Sequence, residues 1–184
     1  MRVFIGIEFS EKIKEYLHEI QCLITNYSER GNFTRKENFH LTLRFIGEVD
    51  TNQIQILKRV IDKTSLEQNC FQLVFKNLGY FPRGNRMIIW MGLKESETLK
   101  KLYYNLELGL EEEGYPKEDR SFTPHITLGR EVIIKEDFNK LAEKIKTDNI
   151  NIFADKISLM ESARVNNRLT YKPIYVSEFR QCII

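Results

Sequence analysis

The chain has 184 residues, 42% of them apolar and 29% charged, and carries a formal net charge of +2. That near-balance excludes a protein that coats a polyanion by bulk charge, while leaving room for a local basic cleft. The length suits one largish domain or two small lobes packed together, and no apolar run approaches the roughly 18–20 residues of a membrane span.

The start, Met1-Arg2-Val3-Phe4-Ile5-Gly6-Ile7-Glu8, turns acidic too soon for a signal peptide and reads as a first strand. Ser10 is a good N-cap, and Ile13, Leu17, Ile20 and Ile24 follow at helical spacing. His18 falls off that stripe and reads as a solvated helix residue. Glu29-Arg30-Gly31-Asn32 reads as a loop. Residues 38–46 predict a strand closed by Gly47, and Asp50 caps a helix striped by Ile54, Leu57, Val60 and Ile61. Phe71, Leu73 and Phe75 alternate as one buried strand face, whereas residues 87–91 are apolar on both faces and predict an interior strand. With the turn Pro82-Arg83-Gly84-Asn85 between them, residues 70–93 predict a hairpin.

A helix carrying Leu99, Leu102, Tyr103, Leu106 and Leu110 stops at Gly114 and Pro116. A strand over 122–130, a short helix with Phe138, Leu141 and Ile145, and two strands around 150–160 and 169–180 complete the order β-α-β-α-β-β-α-β-α-β-β. The last two strands are joined by the polar turn Arg164-Val165-Asn166-Asn167-Arg168. Hairpin-length connections favour antiparallel pairing. The expected fold is α+β and bilobal: two antiparallel-rich sheets with flanking helices, related by a pseudo-twofold, with a central cleft between two motif strands. No linker or charge block divides the chain, so residues 1–184 are expected to form a single domain of two interleaved lobes. Cys22, Cys70 and Cys182 are odd in number and far apart, which predicts reduced thiols in a cytoplasmic protein and no thiolate metal site.

The motif itself is a short string that occurs twice, His40-Leu41-Thr42-Leu43 and His125-Ile126-Thr127-Leu128. Successive side chains of a strand point to opposite faces. His40 and Thr42 therefore share one face over a buried apolar one, and His125 and Thr127 do the same. One histidine in such a place would ordinarily be a partly buried ring satisfied by local hydrogen bonds. Two of the chain's three histidines with the same continuation are a stronger signal. A metal would need a third ligand, yet Thr is a poor one and neither motif strand carries an acid. Nucleophilic use of Thr42 or Thr127 would be redundant in duplicate, and no orienting Asp accompanies it.

The remaining chemistry uses both rings. Imidazole, with an ordinary pKa of about 6.5, gives or takes a proton near neutrality. One neutral ring can deprotonate water while one imidazolium protonates a leaving oxygen on the opposite side of phosphorus, each transfer contributing on the order of 10²–10⁴ in rate. The Thr hydroxyls suit the equatorial phosphoryl oxygens. Arg130 follows the second motif after Gly129, which can bulge the strand and redirect the side chain. Arg44 shares the parity of His40 and Thr42, so a regular strand aims it at the same phosphate. The strands look equivalent, and the residues themselves leave open which ring is acid and which is base.

These strings resemble the 2H phosphoesterase superfamily, and more closely the RNA 2′,3′-cyclic phosphodiesterases also described as 2′-5′ RNA ligases. The likeness runs from Arg2-Val3-Phe4-Ile5-Gly6-Ile7 through Glu37-Asn38-Phe39-His40-Leu41-Thr42-Leu43-Arg44-Phe45-Ile46-Gly47-Glu48-Val49 to Pro124-His125-Ile126-Thr127-Leu128-Gly129-Arg130 and the tail around Arg168-Leu169-Thr170-Tyr171. Two departures stand out. Phe33-Thr34-Arg35-Lys36 replaces a Trp-containing segment, and Asn166-Asn167 stands where the family often has Gly.

The resemblance implies hydrolysis of terminal RNA 2′,3′-cyclic phosphates to 2′-phosphates without a cofactor or metal. It makes His40 the proton donor and His125 the proton acceptor, with Thr42, Thr127 and Arg130 on the phosphate, and adds 2′-5′ ligation as a related activity. The implied partner is RNA with 2′,3′-cyclic phosphate or 2′-phosphate ends, tRNA fragments included, met by a monomer away from any membrane. A phosphodiesterase of small cyclic nucleotides and a non-catalytic RNA-end-binding module are the competing expectations.

Overall fold

Nine strands and four helices are arranged on two antiparallel sheets in the computed structural model, which describes residues 1–180. In chain order they are β1 (Arg2–Glu8), α1 (Glu11–Asn26), β2 (Ser28–Phe33), β3 (His40–Glu48), α2 (Thr51–Leu66), β4 (Phe71–Arg83), β5 (Arg86–Leu93), α3 (Glu97–Glu112), β6 (His125–Ile134), α4 (Phe138–Lys144), β7 (Asn151–Ala154), β8 (Lys156–Val165) and β9 (Arg168–Glu178). The first sheet has the order β3-β1-β8-β9 and the second β2-β6-β5-β4-β7. The chain therefore crosses between sheets repeatedly. Each motif lies on its own sheet, β3 at an edge and β6 between β2 and β5. The architecture is the α+β, two-sheet arrangement expected.

Periodicity explains the helices. Ile13, Leu17, Ile20 and Ile24 of α1 are all buried, and His18 is exposed. Asp50 accepts from the Gln53 amide while the Gln53 side chain accepts from the Asp50 amide, a capping box that starts α2. Helix α2 then lies on β8 and β9 and against α3, whose Leu99, Leu102, Leu106 and Leu110 are buried. Alternation places the strands in the same way. Leu41 and Leu43, with Ile126 and Leu128, point into one continuous core, each side chain contributing roughly 1.5–3 kcal/mol by burial. Strand β5 is interior, as its two apolar faces require.

Two segments and the state of the thiols differ from expectation. Residues 29–32 are not a loop but part of β2, whose polar sequence suits an edge strand that gains its backbone bonds from β6. The strand expected over 150–160 is two strands in different sheets. β7 pairs with β4 and β8 with β1 and β9, and the break falls at Asp155, whose carbonyl accepts from the Phe179 amide. The thiols are not uniformly free: Cys22 is free and exposed, Cys70 is disulfide-bonded, and Cys182 lies outside the described residues. The β8–β9 hairpin turns on Asn166 and Asn167 at φ 51° and 61°. Both residues are left-handed, the geometry of a two-residue hairpin turn that Asn tolerates, so the Asn pair does what Gly would do there. Among the described residues no helix is long and apolar enough to cross a membrane.

Candidate active site

A cavity of about 710 Å³ opens between the motif strands, lined by His40, Thr42, His125, Thr127 and Arg130. Strand parity brings the two His-Thr pairs to it, as the sequence predicts. The fifth side chain arrives by a different device. In β6, Trp90 of β5 pairs with Thr127 but Ile89 pairs with Gly129, so Leu128 is an extra residue, a β-bulge. The bulge shifts parity by one and turns Arg130 toward the cavity. Strand β3 does the same: Gly6 pairs with Thr42 but Ile5 with Arg44, leaving Leu43 as the extra residue.

That second bulge overturns the expected place of Arg44. Parity shifts there too, so Arg44 turns to the interior and is only 8% exposed. Its Nη1 donates to Glu107 at 3.0 Å, with Glu118 at 3.7 Å, and its Nη2 donates to the Pro116 carbonyl. A guanidinium buried and neutralised in this way is no phosphate ligand. Phe45 takes the cavity position instead. The Arg130 guanidinium makes no hydrogen bond or ion pair with another described residue, and its charge reaches both imidazoles.

Both rings are fixed through Nδ1. His40 Nδ1 lies 2.7 Å from the Asn38 carbonyl and His125 Nδ1 lies 2.7 Å from that of Thr123. A carbonyl only accepts, so Nδ1 carries the hydrogen in each neutral ring and Nε2 holds the lone pair that exchanges protons. Thr42 Oγ1 lies 2.9 Å from His40 Nε2. Burial pulls the His40 imidazole down to about 4, against the Asn38 carbonyl, which favours the proton, and with the Arg130 charge, which opposes it. Burial also lowers His125, again with Arg130. Each ring is wedged by aromatics: Phe4 and Tyr171 lie 4.5 and 5.0 Å from His40, and Phe81 and Trp90 lie 5.1 and 5.9 Å from His125. The Trp90 indole lies where Gly79 has no side chain; a Cβ there would meet it at 2.1 Å.

Two further residues support the site, and the sequence does not announce either. Gln21 is the polar exception on the buried face of α1. Its Nε2 donates to the Thr34 carbonyl at 2.6 Å and to the Leu128 carbonyl at 2.7 Å, holding the bulge of the second motif. Asn38 is 4% exposed; its Nδ2 donates to the Leu169 carbonyl and its Oδ1 accepts from the Tyr171 amide. Its backbone orients His40 while its side chain ties on β9. A buried polar residue breaking an apolar stripe is the one signal that could have drawn attention to Gln21. Among the described residues no cluster of three His, Cys, Asp or Glu forms a metal-ligating group.

The profile of the 2′-5′ RNA ligase superfamily matches residues 9–166. The chain belongs to that family. Its relatives include the RNA 2′,3′-cyclic phosphodiesterase of Thermotoga maritima, 31% identical across the whole chain and 98% of the relative. That of Methanocaldococcus jannaschii is also 31% identical, over 95% of this chain and 98% of the relative. Among solved structures, Escherichia coli LigT complexed with 3′-AMP superposes with a TM-score of 0.81 at 24% identity, covering 98% of each chain. A Thermus thermophilus protein superposes equally well, with a TM-score of 0.81 at 23% identity and 98% of each chain. These structures share the superfamily fold.

Proposed function

We propose that this member of the superfamily hydrolyses RNA 2′,3′-cyclic phosphate ends to 2′-phosphate ends by acid–base catalysis between two imidazoles, with no metal needed. The observation that carries the reading is the pair of Nδ1-anchored histidines opening on one cavity beside an unpaired Arg130. The names of the curated relatives support the substrate class.

In the forward direction neutral His125 Nε2 takes a proton from water as the water oxygen bonds to phosphorus. The bond from phosphorus to the 3′ oxygen breaks, and His40 Nε2 gives that oxygen its proton. Solvent then restores both rings. Thr42, Thr127 and Arg130 hold the non-bridging oxygens, where charge grows in the transition state. His40 starts from a pKa of about 4, so the donor acquires its proton with the substrate: the phosphate anion supplies the opposite charge that raises it. With a 5′-hydroxyl in place of water, the same proton transfers would form a 2′-5′ linkage, a secondary outcome of the same site. The substrate is an RNA end, tRNA fragments included, met by a monomeric single-domain protein in the cytoplasm.

The deciding experiment incubates the protein with an oligonucleotide ending in a 2′,3′-cyclic phosphate, with and without chelator, and identifies the product. A 2′-phosphate formed equally in both arms is expected. Activity lost to chelator and restored by a divalent ion would sink the mechanism, and tight binding without product would leave an RNA-end-binding module.

A further inference from the structure

The β8–β9 hairpin is longer than the sheet that carries it. Pairing of β8 with β1 ends at Val3 and Glu161, while β8 and β9 stay paired out to Val165 and Arg168. The four outermost pairs form a two-stranded ribbon projecting past the end of β1, an arrangement that is marginal in water with nothing to lie against it. Residues 164–169 are all exposed, Val165 and Leu169 among them, so the core does not account for the ribbon. Its root is nevertheless held: the Asn38 side chain bonds the Leu169 carbonyl and the Tyr171 amide. The Asn38 carbonyl also orients His40, so the ribbon stands in a fixed relation to the reacting phosphate.

Charge indicates what lies against it. From Ser162 to Ser177 there is no Asp or Glu, and the cations are Arg164, Arg168 and Lys172, in a chain whose whole net charge is +2. Lys172 stands opposite Glu161, which leaves the two ribbon arginines. Among the described residues neither guanidinium meets a carboxylate; Arg164 Nη1 reaches only the Asn167 carbonyl, at 3.5 Å. Directly paired strand residues share a face. Arg164 and Leu169 therefore stand with Ser162 and Tyr171 on the face that lines the catalytic cavity. Arg2 of β1 lines the same cavity nearer the rings. Phe4, packed on His40, is level with Met160. Arg2 lies two residues from Phe4 and Arg164 four beyond Met160, offsets of about 7 and 13 Å at the rise of a strand. A row of cations leading out of the phosphate site at that spacing fits the successive phosphates of an extended single strand.

We propose that the β8–β9 ribbon is an arm for the RNA strand. The nucleotides 5′ of the cyclic phosphate lie along its cavity face, with Arg2 and Arg164 on the first two phosphodiesters and Arg168 on the next, at the tip. This deepens the cyclic phosphodiesterase reading and rests on it. The protein is then built to hold an oligonucleotide end in preference to a free mononucleotide. Contacts to phosphate carry no base information, so the arm adds no sequence preference.

The test compares kcat/KM for a tetranucleotide ending in a 2′,3′-cyclic phosphate with that for the mononucleoside 2′,3′-cyclic phosphate, across salt concentrations. The wild-type protein is expected to prefer the tetranucleotide about tenfold or more at low salt. That preference should fall with salt at a log–log slope of about −0.7 for each phosphate held. Arg164→Gln shrinks the preference about three- to tenfold, through KM, and makes the slope shallower by about 0.7. Arg164→Lys keeps the slope, and adding Arg168→Gln to Arg164→Gln flattens it further. Equal kcat/KM for the two substrates in the wild-type protein overturns the arm, as does an Arg164→Gln/Arg168→Gln variant with unchanged preference and slope. If the wild-type protein turns over neither compound, the cyclic phosphodiesterase reading fails instead. The arm is then decided by fluorescence anisotropy with a 3′-phosphorylated tetranucleotide. Affinity weakened threefold or more in the double variant sustains it, and equal affinity removes it.

Discussion

The halves of the cleft start from the same four-residue pattern and diverge immediately afterwards. Both strands bulge at the fourth residue, Leu43 or Leu128, and both bulges exchange the faces of the residues that follow. In β6 the exchange delivers Arg130 to the cavity with Gly129 facing inward. In β3 it delivers Phe45 and sends Arg44 inward, where Glu107 and Glu118 neutralise it. The same backbone device thus yields a cationic pole on one side and an aromatic wall on the other. Duplicated geometry does not imply duplicated chemistry; the second residue after the bulge decides.

The sharpest way to break the comparison is to remove each ring. His40→Ala and His125→Ala are each expected to lower kcat by roughly 10²–10⁴, since each takes out one proton transfer. A variant that keeps near-wild-type turnover on a cyclic phosphate oligonucleotide removes that residue from its role.

The two arginines should then separate cleanly. Arg130→Met is expected to cost on the order of 10²-fold in kcat/KM with little change in the denaturant midpoint, because its guanidinium bonds to nothing else among the described residues. Arg44→Met is expected to do the reverse. It strands the Glu107 carboxylate, itself buried, and should lower stability by about 3–5 kcal/mol in urea titrations, while the folded fraction keeps most of its kcat. Adding Glu107→Leu should recover much of that loss. Loss of chemistry without loss of stability in Arg44→Met would reverse the assignment of the two sides.

The pH profiles test which ring gives the proton. kcat/KM reports the free protein, in which His40 protonates only near pH 4 while His125 stays neutral above the ordinary histidine range. Above pH 6.5, kcat/KM should therefore fall by about tenfold per pH unit as the protonated fraction of His40 shrinks. kcat reports the complex, where bound phosphate raises His40, so its alkaline limb should lie at higher pH. A kcat/KM that stays flat from pH 6.5 to 9 would exclude His40 as the donor.

The smallest effect concerns the bulge itself. Gln21→Met keeps the length of the side chain but leaves the Thr34 carbonyl without its side-chain donor and the Leu128 carbonyl with the Thr34 amide alone, a loss of about 1–3 kcal/mol. Because Thr127 and Arg130 flank that bulge, KM should rise alongside the fall in stability. A fall in stability with unchanged KM would make Gln21 a packing residue only.

What was legible in the sequence was periodic. The parity of His40 with Thr42 and of His125 with Thr127, the helix stripes and the interior character of β5 all follow from side-chain direction along regular elements. What was hidden was irregular. Nothing in Leu43-Arg44 announces a bulge, so parity alone sent Arg44 to the wrong face, whereas Gly129 did mark the place where β6 departs from regularity. Strand β2 escaped notice because an edge strand held by backbone bonds needs no apolar alternation. Gln21 and Asn38 act on carbonyls distant in sequence, and only the assembled fold reveals those partners.

The crossing of the chain between sheets has a consequence for synthesis. β1 and β3, which carry Phe4, His40 and Thr42, are joined into a full sheet only by β8 and β9, with Phe4 paired to Met160. Until those last strands exist, the first motif sits on a two-stranded ribbon, which is marginal in water. The Tyr171 ring beside His40 and the Leu169 carbonyl that binds Asn38 also belong to β9. A nascent chain could thus display the second motif on its own sheet while the first waits for β8 and β9. The cleft would assemble only after β8 and β9 have been made, and a fragment ending before them would lack the groups that orient the first motif.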